Sequence, residues 1–213
     1  MGRFVVIEGL DGAGKRTLAD GLTAELERRG VSVARIAFPR YDVDVHAELV
    51  RDALYGRLGD LAGSVYGMAV LFALDRRAAV TEIGALIGRH DVVLCDRYVA
   101  SNAAYGAARL HQHASGEFVA WVRELEIDRF RLPVPDAQLL LRVPVTLASS
   151  RAAGRAAANA ARATDAFESD GALQVRCAEV YEQLATASWL SRWLVLDGAD
   201  ARPAAVLDQL LSG

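Results

Sequence analysis

Phe4-Val5-Val6-Ile7-Glu8-Gly9-Leu10-Asp11-Gly12-Ala13-Gly14-Lys15-Arg16-Thr17 carries the plan of this chain. Four apolar residues, two of them β-branched valines, read as a strand buried on both faces. The run stops at Glu8, and three glycines follow within six positions, at Gly9, Gly12 and Gly14. Glycine lets a backbone turn sharply with its N–H groups facing inward, which makes a concave anion site. The residues after Gly14 have helical periodicity, so a helix would open on that hollow with the positive end of its dipole. Strand, glycine loop, lysine and helix together form a phosphate-binding loop over residues 9–17, and they predict an α/β domain. Gly9, Asp11, Gly12, Ala13, Gly14, Lys15, Arg16 and Thr17 are the candidate nucleotide contacts.

Four further short apolar runs repeat the strand signal. With the first, they predict strands over 4–8, 33–37, 92–96, 138–143 and 193–196, alternating with helical patterns such as 15–29, 61–87 and 171–187. Continuous apolar strands separated by helices imply a doubly wound five-stranded parallel sheet with helices on both faces, in one domain of 213 residues. Ligands of such sheets bind at the carboxyl ends of the strands. Three ends draw attention: Glu8-Gly9, Phe38-Pro39-Arg40 and Asp96-Arg97-Tyr98. A net charge of −3 excludes a general binder of nucleic-acid polymers. The first apolar run is too short for a signal peptide or a membrane span, and a cytoplasmic location is expected. Cys95 and Cys177 show no metal-ligand pattern. The pair His111 and His113 reads as a solvated loop.

Of the 24 cationic residues, Lys15 is the only lysine. A flexible ammonium therefore survives at the one position where it can reach β- and γ-phosphates. The place after it, where Ser or Thr usually holds Mg²⁺, is taken by Arg16. Metal ligation then shifts to carboxylates, phosphates and water, with Asp11, Asp96 and Glu168 as candidates. Arg97, at a strand end, can clamp a phosphate. Phe72 and Arg76 share a helix face at i,i+4, where a ring and a guanidinium can stack on and bond a base. Ser101, Asn102 and Tyr105 form a polar face on the helix that follows Arg97. Arg151, Arg155 and Arg162, in an Ala-rich stretch, suit a mobile lid around 150–165.

Taken together, these motifs resemble the thymidylate kinase family, most closely its actinobacterial members. The resemblance rests on residues 8–15, 38–41, 72–76 and 96–105 and on the arginine-bearing lid, and it spans nearly the whole chain. It implies a fold of the P-loop nucleoside monophosphate kinase type. It also implies transfer of phosphate from ATP to dTMP with Mg²⁺, in a homodimer. By resemblance, Phe72 stacks on thymine, Arg76 bonds its O4 and Asn102 faces the base. Tyr105 crowds the ribose 2′ position, and Phe38, Tyr41 and Arg97 hold sugar and phosphate. Asp11 lies near the sugar 3′-hydroxyl and the metal. Because Ala13 carries no charge, Lys15, Arg97, Arg151, Arg155 and Arg162 are the expected catalytic cations. The long pattern over 61–87 is a candidate dimer face. The residues leave two alternatives open: another deoxynucleotide or deoxynucleoside kinase of this fold, dUMP included, and a non-catalytic P-loop nucleotide sensor.

Overall fold

A computed structural model describes residues 2–158, 167, 170–198 and 201–211. Its strands are β1 (Arg3–Glu8), β2 (Val33–Ala37), β3 (Val92–Asp96), β4 (Ala137–Arg142) and β5 (Arg192–Asp197), all parallel, in the order β2-β3-β1-β4-β5. Each predicted strand is present, displaced by at most one residue at either end. The central strand β1 has all but its first residue buried, and Val6 and Ile7 have no exposed surface. Its register against β3 pairs Ile7 with Asp96, so the two strands end side by side.

Helices surround the sheet. Helix α1 (Lys15–Arg28) packs with α9 (Pro203–Leu211), while α5 (Val99–Arg109) packs against α3 (Val65–Ala78), α6 (Glu117–Arg123) and α8 (Gly171–Thr186). Helices α2 (Val45–Leu54), α4 (Val80–Arg89) and α7 (Val145–Ala158) complete the set among the described residues. Local chemistry fixes several starts. Asp44, Ser64 and Asp170 cap α2, α3 and α8 by accepting from the backbone N–H groups of His46, Gly67 and Leu173.

The stretch 61–87 is not one helix. A single 3₁₀ turn (Leu61–Gly63) precedes the Ser64 cap, and Ala79 separates α3 from α4. Apolar periodicity runs through all three pieces because each buries a face, so it conceals the breaks. A second small core of Val50, Ala53, Leu54 and Met68 lies between α2 and α3, with Tyr41, Phe72 and Phe167 packed against it.

Candidate active site

The loop after β1 has the geometry its glycines demand. Gly12 has φ +83°, and a Cβ there would lie 2.0 Å from the Ala148 carbonyl oxygen of α7. Gly14, at φ +99°, is the left-handed residue from which α1 starts. Lys15 is 7% exposed, and its Nζ donates to the carbonyls of Gly9 (3.2 Å) and Leu10 (2.9 Å). Burial, then the charge of Arg97, lower its pKa to about 8 against the pull of Asp11, Asp96 and Glu8. Arg16 and Thr17 are exposed on the first turn of α1.

Beside the loop lies a network centred on Arg97. This residue adopts φ +66° at the end of β3. Its Nη2 donates to Asp11 Oδ1 at 2.6 Å and its Nη1 to Ser101 Oγ at 3.1 Å, with the guanidinium over the Tyr105 ring. Tyr105 donates to the other Asp11 oxygen at 2.9 Å. Burial alone would raise the Asp11 carboxyl. The charges of Arg97 and Lys15 and the two hydrogen bonds outweigh it and hold the group well below the usual carboxylate range.

Glu8, fully buried, supports this arrangement. Its Oε1 accepts from the backbone N–H of Tyr98 (2.9 Å) and Ser101 (3.2 Å), capping α5 from the neighbouring strand. Its Oε2 accepts from Ser101 Oγ (2.6 Å) and Tyr181 OH (3.0 Å). One carboxylate thus joins β1, α5 and α8.

A third group lies on α3 and α5. Arg76 is 2% exposed and meets Glu126 through two bonds, Nε to Oε2 at 2.5 Å and Nη2 to Oε1 at 2.8 Å. Asn102 Nδ2 donates to Glu126 Oε1 (2.8 Å) and to the Ala69 carbonyl (2.9 Å). Phe72, half-buried, sits one turn before Arg76. At the end of β2, Phe38 is 5% exposed and packs on Tyr98. Arg40 ties this segment to α3 through the buried Asp75: its Nε reaches Oδ1 at 2.8 Å and its backbone N–H reaches Oδ2 at 2.9 Å.

The structure therefore brings Asp11, Lys15, Arg97, Ser101 and Tyr105 together, with Phe72, Arg76 and Asn102 in a neighbouring group. Arg151 is exposed on α7, and Arg155 lies one turn further along that helix. Arg162 and Glu168 lie outside the described residues. Glu8, Asp75, Glu126 and Tyr181 were not assigned roles from the sequence. Glu8 stood at a strand end already marked for attention, whereas Glu126 lies in Glu124-Leu125-Glu126-Ile127-Asp128-Arg129, which reads as an ordinary charged surface.

One carboxylate oxygen beside the loop bears on cation binding. Asp96 Oδ1 is buried without a hydrogen-bond partner among the described residues, an acceptor awaiting a donor or a metal. No group of three or more His, Cys, Asp or Glu among those residues could hold a metal alone. A hard ion completed by phosphate oxygens and water matches that donor set.

A phosphate loop on one strand end, with an arginine–carboxylate–tyrosine site on the next, places the chain in the class of P-loop kinases that act on nucleoside monophosphates. The family model described as thymidylate kinase matches residues 7–197. The thymidylate kinase of Mycobacterium tuberculosis (strain ATCC 25618 / H37Rv) is 53% identical over 200 residues, covering 94% of this chain and 93% of its own. That of Rhodopseudomonas palustris (strain ATCC BAA-98 / CGA009) is 32% identical, covering 98% and 86%. A probable thymidylate kinase of Thermococcus gammatolerans is 36% identical, covering 73% and 72%. The chain belongs to the thymidylate kinase family, and its similarity to the mycobacterial enzyme agrees with the actinobacterial resemblance.

Proposed function

We propose that this enzyme transfers the γ-phosphoryl group of ATP to the phosphate of dTMP, giving ADP and dTDP. The observation that carries the reading is the Arg97–Asp11 contact. It sets a phosphate-clamping guanidinium 2.6 Å from a carboxylate inside the donor-phosphate loop. Donor and acceptor phosphates bound to those two elements would be neighbours. An acceptor oxygen of dTMP then attacks the γ-phosphorus, and the bond from that phosphorus to the ADP oxygen breaks. The acceptor's second pKa lies near 6, so it needs no general base at neutral pH. Asp11 is held ionised and serves to orient Arg97.

The transition state is loose, so positioning and charge neutralisation supply the catalysis. Lys15 and Arg97 serve the donor and acceptor phosphates. Arg151, Arg155 and Arg162 form the lid that completes the cationic shell and excludes water. Mg²⁺, held by Asp11, Asp96 and Glu168, would offset charge on the phosphates. Phe72, Arg76 and Asn102 meet the base, while Tyr105, Phe38 and Tyr41 enclose the sugar. No helix of the described residues is long and apolar enough to cross a membrane, which is compatible with a cytoplasmic enzyme. Half-buried Val70 and Leu74 continue the face of exposed Tyr66 along α3, a stripe suited to a second copy of the chain.

ADP release measured with ATP and, in turn, dTMP, dUMP, dCMP, dGMP and thymidine tests the proposal. Stimulation should be greatest with dTMP. Greater stimulation by thymidine would identify a nucleoside kinase, and no stimulation by any of them a nucleotide sensor.

A further inference from the structure

Between α6 and β4 the chain winds a π-helical turn (Glu124–Arg129) that carries Glu126 into the interior with no exposed surface. Such turns are uncommon and concentrate at functional sites. Its carboxylate makes three bonds, two from Arg76 and one from Asn102. These are the two polar residues assigned above to the base, and they come from different helices.

The bonds decide what each residue has left to offer. Ala69 O and Glu126 Oε1 can only accept, so the Asn102 amide must turn Nδ2 toward them. That leaves Oδ1, an acceptor, without a partner among the described residues. Arg76 spends Nε and Nη2 on Glu126, which leaves Nη1, a donor, without a partner among them. Two residues that meet at Glu126 Oε1 therefore keep one unused donor and one unused acceptor. A 4-keto pyrimidine carries the complementary pair, an O4 acceptor next to an N3–H donor. A 4-amino pyrimidine carries the reverse pair, an amino donor next to a bare N3 acceptor.

We propose that Glu126 is the positioning residue that sets base specificity: by fixing the Arg76 fork and the Asn102 amide, it selects thymine or uracil over cytosine. The inference rests on the reading of Arg76 and Asn102 as base contacts. Glu126 itself touches no substrate. Discrimination by a hydrogen-bonding site comes from polar groups that the wrong ligand leaves unpaired, and it persists only while those groups cannot rotate to suit both ligands.

Steady-state kinetics of the full chain with ATP and either dTMP or dCMP test this on Glu126→Gln and Glu126→Asp. Glu126→Gln replaces one acceptor oxygen with an N–H₂ group, so it cannot serve Arg76 twice and Asn102 as well. The dTMP-to-dCMP ratio of kcat/KM should fall at least tenfold, with the KM for ATP unchanged. Glu126→Asp keeps both oxygens on a shorter stem, so its ratio should fall less, about threefold. If Glu126→Gln does not fold, Glu126→Asp carries the test alone. A merely structural residue would lower both activities together. An unchanged ratio in either folded variant overturns the proposal. Absence of dTMP-stimulated ADP release from the unmodified chain would refute the underlying functional reading instead, and that measurement comes first.

Discussion

Lys15 shows how far a buried environment can move a single group. Its pKa of about 8, against 10.5 for an ordinary lysine, follows from burial and the nearby Arg97 charge. Below pH 8 both folded and unfolded chains hold this proton, and the folded state bears the full cost of a desolvated cation. Between about pH 8 and 10.5 the unfolded chain holds more protons, so folding stability attributable to Lys15 rises with pH. The stability of the unmodified chain relative to Lys15→Met should therefore shift in its favour across that window, by on the order of 1–3 kcal/mol. Thermal unfolding at stepped pH measures it, and a flat difference would contradict the assigned environment. Activity of Lys15→Met should fall at least a hundredfold below pH 8, where Lys15 carries its charge. This residue was legible in the sequence because a motif and a unique residue type coincided there. Asp11, Arg97, Ser101 and Tyr105 were legible for a related reason: each lies within ten residues of a strand end. Glu126 was not. Its partners lie 50 and 24 positions away, and nothing local separates it from the solvated Glu124.

Among the elements, α8 is the least expected contributor. Its Tyr181 hydroxyl donates to Glu8, lies 2.9 Å from Ser101 Oγ and 3.5 Å from Arg97 Nη1. Helix α8 thus braces Arg97, the residue proposed for the acceptor phosphate. Tyr181→Phe should lower stability by about 1–2 kcal/mol through the lost buried hydrogen bond. It should also raise the KM for dTMP several-fold and leave that for ATP unchanged. Thermal unfolding and steady-state kinetics separate the two effects, and lost stability with an unaltered KM would reduce Tyr181 to packing. The strands were legible to within a residue because a doubly buried strand must be apolar throughout. The break at Ala79 was not. Neither proline nor a glycine pair marks it.

The molecule as a whole depends on strand order, which periodicity alone does not contain. The arrangement β2-β3-β1-β4-β5 sets β1 between β3 and β4, and this brings Glu8 and Asp11 beside Arg97. If two copies pair along the Tyr66–Val70–Leu74 stripe of α3, Tyr66→Glu should convert a species of twice the chain mass into one of 22.9 kDa. Sedimentation reads this directly, and a chain that is monomeric without the substitution would rule the pairing out. The Arg76–Glu126 pair has a consequence for how such a chain changes over generations. A desolvated ion pair contributes little to folding, and well-packed apolar replacements are commonly neutral or stabilising by ~1–4 kcal/mol. Screening variants for heat resistance alone would therefore tend to discard both charges, and with them the base discrimination proposed for Glu126.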